Sequence, residues 1–208
     1  MIDQLTGIVL AGGRSRRFGS PKAMACWQGR RLIEEVVSDL CPLFSRILVM
    51  VKEPNEYRFL EGFDGVHVGK DIVRDLHPLG GIYSGLLACK TEHAFVSACD
   101  MPSLEPRLVE RLYGVGKDHD AAIPVWNGIP QTLRGIYRRS CLGPIEEMLD
   151  KSRLSIQELL REVRTCFLRE EEVKRIDPVG FSFVDIDTPV DFRRAKGSAT
   201  KDHPFHAD

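Results

Sequence analysis

The sequence predicts an α/β protein, a three-layer α/β/α fold of Rossmann-like form with a mostly parallel central sheet. Three observations predict it: short apolar runs alternate with segments of helical apolar spacing, the connections between them are short, and the first apolar run ends in a glycine-rich loop. Alternation of this kind covers a parallel sheet on both faces. Right-handed crossovers then bring the strand C-termini to one edge, where such sheets bind their ligands.

The elements follow in order. Thr6 to Leu10 reads as a buried strand ahead of the glycine loop. Leu32, Val36, Val37 and Leu40 recur at helical spacing, and Pro42 closes that helix. Arg46 to Val51 is a second strand and Val66 to Val68 a short third. Gly80 to Cys89 reads as a helix entered through glycines, and Ala94 to Ala98 as another buried strand. Leu104, Leu108, Val109 and Leu112 mark the apolar stripe of the next helix. A strand follows around Ala121 to Val125, and Thr132 to Tyr137 is compatible with another. Ser155 and Glu158 give a capping-box signal for a short helix. Ser182 to Ile186 reads as a last strand, and Thr188-Pro189 as the start of a helix. With no repeat or linker in view, residues 1–197 are expected to form a single domain and residues 198–208 a flexible tail.

Composition narrows the function classes. A chain of 208 residues buries roughly 70% of its unfolded surface, and 43% hydrophobic with 28% charged content is ordinary for a globular domain. No apolar run reaches the ~18 residues of a membrane span, and MIDQL lacks the pattern of an export signal, so neither membrane insertion nor export is expected. The six cysteines form no C-x-x-C pair and several lie in apolar surroundings, which predicts reduced, structural thiols and a cytoplasmic protein. A net charge of −1 argues against nucleic acid as a partner. The charge is nevertheless uneven. Gln4 to Ile33 holds no acidic residue but carries Arg14, Arg16, Arg17, Lys22, Arg30 and Arg31. A local basic site on a neutral chain suits a small anion.

That site is the loop VLAGGRSRRFGSPKA, residues 9–23. Glycines directly after a strand let backbone amides turn toward a ligand, a geometry that suits phosphate. Neither common phosphate template fits. G-x-x-x-x-G-K-[ST] fails because Arg17 and Phe18 stand where the second glycine belongs, and G-x-G-x-x-G fails because Gly12 and Gly13 are adjacent. What remains is a phosphate loop that carries its own cations, four of them between Arg14 and Lys22, which matches a polyphosphate better than a single phosphate. The plain alternative is a solvated surface loop.

Asp100 follows AFVSA at the predicted ligand edge. Beside a polyphosphate its carboxylate is a candidate Mg²⁺ ligand, the alternative being a helix N-cap. Asp185 and Asp187 alternate with Val184 and Ile186, so on a strand both face one side, toward the metal or toward solvent. The histidines do not cluster, His77 reads as a turn residue, and no general base stands out.

The run Leu10 to Lys22 fits LAGG-x-S-x-R-(F/M)-G-x-x-K and resembles the signature of nucleotidyltransferases that activate small molecules with an NTP. HPLGGIYSGL (77–86), VSACDMPSL (96–104), PQTLRGIYRRS (130–140) and FVDIDTPVDF (183–192) are similar to stretches of the molybdenum cofactor guanylyltransferase (MobA-type) family, in the same order. The resemblance implies a nucleotidyltransferase fold and a Mg²⁺-dependent transfer of GMP from GTP to the terminal phosphate of molybdopterin or Mo-molybdopterin, with release of pyrophosphate. It also implies transient contact with enzymes of molybdenum cofactor biosynthesis or with target enzymes. Leu10, Ala11, Gly12 and Gly13 would cradle the nucleotide through backbone groups, while Arg16 and Arg17 hold the pyrophosphate. Lys22 would meet the α-phosphate, Asp100 and Asp187 would hold Mg²⁺, and Asp71 matches a nucleotide-contacting position. Gln131 and Arg134 stand as candidate pterin contacts. Two departures bear on the base: Asp185 and Asp187 replace asparagines frequent in guanylyl-transferring relatives, and Met50 falls where the family has an asparagine. A CTP-using cytidylyltransferase and a D-x-D nucleotide-sugar glycosyltransferase, with its motif at 185–187, are the rival readings.

Overall fold

The computed structural model describes residues 1–12, 22–27, 30–73 and 77–186. In chain order the elements are β1 (Leu5–Leu10), the two-residue strands β2 (Cys26–Trp27) and β3 (Arg30–Arg31), α1 (Leu32–Leu40) and β4 (Ile47–Val51). A 3₁₀ segment, Pro54–Gly62, leads to β5 (Val66–Lys70), α2 (Pro78–Ala88), β6 (His93–Ala98) and α3 (Pro106–Gly116). Then come β7 (Ala121–Trp126), β8 (Ile129–Pro130), β9 (Arg134–Arg138), α4 (Leu142–Asp150), α5 (Ile156–Glu162), β10 (Thr165–Leu168) and α6 (Glu170–Ile176).

The central sheet has the order β10-β7-β9-β6-β1-β4-β5, with β8 paired to the end of β7. Its pairings are parallel except at β9, which runs antiparallel to both β6 and β7, and at the short β8, antiparallel to β7. The expected three layers are present. Val36, Val37, Leu108, Leu112 and Val173 pack one face with Val9, Val49 and Phe95. Leu79, Ile82, Ile145, Met148 and Leu159 pack the other with Ile8, Leu48 and Val96. Because both faces are covered, β1, β4 and β6 read as continuous apolar runs rather than alternating ones.

The order of the central strands decides where a ligand goes. From β1 the chain steps through α1 to β4 and on to β5, then returns to place β6 on the opposite side of β1. A crevice opens at such a reversal, at the carboxyl ends of the strands. Helix α2 presses close there. A Cβ on Gly81 would stand 3.0 Å from Leu10 Cδ2, and one on Gly85 2.7 Å from Ile8 Cδ1, so larger residues would push the helix off β1. Pro78 opens this helix, and the His77 ring accepts from the Leu79 N–H at 3.3 Å, so the expected turn histidine is an N-cap.

One expected strand is absent. Ser182 to Ile186 pairs with no strand; Phe181–Phe183 is a 3₁₀ turn that follows Gly180 at φ +70°. Side chains take the groups a ladder would use. The Asp177 carboxylate accepts from Phe181 N–H at 2.9 Å and Ser182 N–H at 2.7 Å, while the Ser182 carbonyl accepts from Arg134 Nε at 2.9 Å. Asp185 therefore owes its place to a turn. The expected helix start at Thr188 and the tail at 198–208 lie outside the described residues. No helix among the described residues is long and apolar enough to cross a membrane.

Candidate active site

Backbone bonds extend the sheet one residue past its strands. Ala11 N–H donates to the Met50 carbonyl at 3.0 Å, Cys99 N–H to that of Leu10 at 3.1 Å, and Asp71 N–H to that of Val51 at 2.7 Å. Ala11 and Gly12, Lys52, Asp71 and Asp100 thereby emerge side by side along one edge. Gly12, Lys52, Asp71 and Asp100 line, with Leu10, Lys22, Met50 and Pro78, a cleft of about 290 Å³.

Lys22 and Asp100 meet in this cleft, 78 residues apart in sequence, with Nζ 3.0 Å from Oδ2. Lys22 starts a 3₁₀ turn anchored by the buried Ala23. Asp100 is not a helix cap, since Glu105 caps α3 and its carboxylate accepts from Arg107 N–H. Its backbone is fixed instead: the Asp100 carbonyl accepts from Ile186 N–H at 2.8 Å. The neighbouring Cys99 thiol is pushed up to about 12, first by burial and then by the Asp100 charge, so it stays protonated at neutral pH. The five cysteines whose side chains are described, Cys41, Cys89, Cys99, Cys141 and Cys166, form no disulfide.

A second lysine–aspartate pair lies across the cleft. Lys52 Nζ is 2.8 Å from Asp71 Oδ2 and donates to the Val73 carbonyl. Asp71 Oδ1 accepts from Ser84 Oγ at 2.9 Å and from Val73 N–H at 3.1 Å. The Asp71 side chain is 5% exposed and that of Lys52 23%, so the lysine is the partner that a ligand meets. Sequence reasoning chose Asp71 and passed over Lys52. A signal was available: Lys52 directly follows a buried strand at the glycine-loop edge, two residues beyond Met50 and therefore on the same side of the chain.

A smaller cleft of about 250 Å³ shares Ala98, Asp100 and Leu133 with the first and adds Met101, Gln131 and Asp185. Asp100 thus stands at the junction of two spaces. Gln131 is placed to touch a ligand there, but Arg134 is not. Its side chain points into the protein and is 1% exposed. The guanidinium donates to the Ser182 carbonyl, to Ser97 Oγ at 2.9 Å, to the Met101 carbonyl and to the Ser103 carbonyl at 2.8 Å. Burial lowers its pKa to about 10, against the opposing pull of Asp100, Asp39 and Asp185, so it remains charged at neutral pH. Arg134 therefore holds the loop that carries Asp100. Gly13, Arg16, Arg17 and Asp187 lie outside the described residues.

The chain is also similar over most of its length to known proteins. A family model described as MobA-like NTP transferase domain matches residues 7–167. A probable molybdenum cofactor guanylyltransferase of Peptoclostridium acidaminophilum is 30% identical over 96% of this chain and 91% of its own length. The molybdenum cofactor guanylyltransferase of Desulfosudis oleivorans is 31% identical over 95% and 96% respectively. Among solved structures, molybdopterin-guanine dinucleotide biosynthesis protein A of Archaeoglobus fulgidus superposes with a TM-score of 0.79 at 25% identity, covering 95% of this chain and 100% of that one.

Proposed function

The chain belongs to the MobA-like NTP transferase family, and from that premise we propose that it transfers GMP from GTP to the terminal phosphate of molybdopterin or Mo-molybdopterin, releasing pyrophosphate. The names of its relatives support the substrates. The observation that carries the reaction is the Lys22–Asp100 pair, 3.0 Å apart, with Asp100 at the junction of two clefts.

In this reading the nucleotide occupies the larger cleft and the acceptor phosphate enters from the smaller one, so the α-phosphorus lies between them. A phosphate monoester has a second pKa of about 6 and is largely dianionic at neutral pH. It needs no general base, which suits a junction whose thiol stays protonated. An acceptor oxygen forms the new bond to the α-phosphorus. The bond from that phosphorus to the bridging oxygen breaks, and pyrophosphate leaves with the electron pair. Lys22 holds the α-phosphate oxygens as their charge rises, Gly12 lets the backbone come close, and Asp100 is kept in register by Arg134. Arg16 and Arg17 take the pyrophosphate and Gly13 completes the cradle, as the sequence signature assigns them.

The donor set fits a magnesium ion. Asp100 offers a hard carboxylate at the junction, and Asp185 lines the smaller cleft beside it. Among the described residues no group of three or more His, Cys, Asp or Glu could hold a metal. Mg²⁺ is commonly bound through one or two carboxylates plus substrate phosphates, which is what Asp100 would offer beside a triphosphate. Asp100 would hold the ion, with Asp187 as the second ligand assigned from sequence. When bound, the ion would neutralise part of the triphosphate charge.

The test is pyrophosphate release from GTP, CTP and ATP in turn, each with and without molybdopterin. Release is expected with GTP and molybdopterin together, lost on adding EDTA and restored by Mg²⁺. A preference for CTP, or release that ignores molybdopterin, would sink the proposal.

A further inference from the structure

Phosphate chemistry at Lys22 and Asp100 leaves the other charged pair of the cleft, Lys52 and Asp71, without a task. Its position narrows what that task is. Asp100 follows β6, Gly12 follows β1 and Lys52 follows β4, and these strands are neighbours in that order. Two strand spacings, roughly 10 Å, therefore separate Lys52 from the reaction point. A ribose fills such a gap, and the base comes next. Apolar side chains share the cleft: Leu10, Met50 and Pro78 line it together with Lys52, Asp71 and His77. A partly apolar cleft with a few placed polar groups is the usual form of a site for a flat heterocycle.

The two partners are not equivalent. Asp71 is the more buried, and its oxygens already accept from Ser84 Oγ, Val73 N–H and Lys52. Its carboxylate and the Val73 carbonyl hold the ammonium in place. A lysine ammonium only donates, so whatever it reads must present acceptors. Guanine offers O6 and N7 on one edge, whereas adenine replaces O6 with an amino group that would meet the ammonium donor to donor.

We infer that Lys52 is a base-specificity residue of this chain, donating to the O6/N7 edge of guanine and selecting it over adenine, with Asp71 as its positioning residue. The inference rests on the nucleoside triphosphate reading of the larger cleft.

The test compares kcat/KM for pyrophosphate release by the full chain, with molybdopterin as acceptor, from GTP, ATP, ITP and 7-deaza-GTP. ITP keeps O6 and N7 but lacks the 2-amino group, and its use should stay within about threefold of GTP. 7-Deaza-GTP lacks N7 and should fall roughly tenfold, the lower end of what such a contact is worth. These two comparisons need no variant and so do not depend on how substitution affects folding. In Lys52→Met the GTP-to-ATP preference should drop roughly 10- to 100-fold, while Lys52→Arg should keep most of it. Equal use of GTP and 7-deaza-GTP by the unmodified protein would overturn the inference. So would a Lys52→Met enzyme with an unchanged GTP-to-ATP ratio, because a uniform loss places Lys52 on ribose or phosphate. Those results leave the transferase reading standing; a chain that releases no pyrophosphate from any nucleoside triphosphate overturns both.

Discussion

The cleft holds two lysine–aspartate pairs of nearly equal length, 3.0 Å for Lys22–Asp100 and 2.8 Å for Lys52–Asp71, yet the fold treats them differently. At Asp71 it clamps the carboxylate itself, through Ser84 Oγ and Val73 N–H. At Asp100 it clamps the backbone, through Ile186 N–H and through Arg134 on the flanking Met101 and Ser103 carbonyls. A clamped carboxylate keeps its partner, which suits a fixed recognition element. Among the described residues no clamp of that kind holds the Asp100 carboxylate. In the proposed reading it exchanges Lys22 for a metal ion while Lys22 turns to phosphate. In that reading one pair is a fixed recognition element and the other is machinery.

The sharpest way to break this distinction is to remove a charge from each pair. Lys22→Ala and Asp100→Ala should each lower kcat about 10³-fold, as expected when a group aimed at transition-state charge is lost. Their melting temperatures should shift by only a few degrees, because a partly exposed ion pair contributes about 1 kcal/mol or less. A folded Lys22→Ala enzyme with near-normal turnover would dissolve the machinery half of the contrast. Arg134→Met should show the opposite profile first. It strands buried acceptors around a fully buried guanidinium, at a cost of about 4 kcal/mol and a melting temperature lowered by about 10 °C. With the Asp100 loop loosened, Mn²⁺ affinity measured by electron paramagnetic resonance should also fall. Unchanged metal affinity would make Arg134 a stability residue only. Asp71→Ala should cost less, about 2 kcal/mol and about 5 °C, since solvent reaches part of Lys52. A loss of turnover without loss of stability would show that Asp71 acts on the ligand directly.

Much of this contrast was legible in the sequence, and the illegible part has physical causes. β1, β4 and β6 announce themselves because burial on both faces makes them continuous apolar runs. Asp100 is legible because it closely follows such a run, and Lys22 because it closes the cation-rich glycine loop that leaves β1. α6 is invisible to periodicity because Val173 is the one buried position in a segment, EEEVKRI, that is otherwise charged or partly exposed. The segment at 182–186 misleads because alternation in VDID suggests a pleat, whereas Asp177 and Arg134 satisfy its turn from elsewhere in the chain. Arg134 misleads in the same way. An arginine in a loop-to-strand stretch reads as a surface contact, and only the tertiary structure shows four acceptors converging on it inside the protein. Long-range satisfaction of polar groups leaves no local pattern.

Gly12 lies between the two pairs and gives the smallest but cleanest discriminating effect. Among the described residues, a Cβ there would stand 3.8 Å from both Asp71 Oδ2 and Lys52 Cγ, an ordinary contact, and its backbone lies outside the left-handed region. The described residues therefore set no requirement for glycine at this position. Replacing glycine by alanine at a compatible position reduces the freedom of the unfolded chain and stabilises by about 0.4–1 kcal/mol. Gly12→Ala should melt at the same temperature as the unsubstituted protein or about 1–4 °C higher. The added methyl nevertheless projects into the space beside Lys52 and Asp71, where the nucleotide backbone approach is proposed. KM for GTP should rise about tenfold with kcat little changed, the signature of lost uniform binding. If instead the variant melts lower and binds GTP normally, the glycine serves the fold, and the cleft between the two pairs is not where the nucleotide comes close.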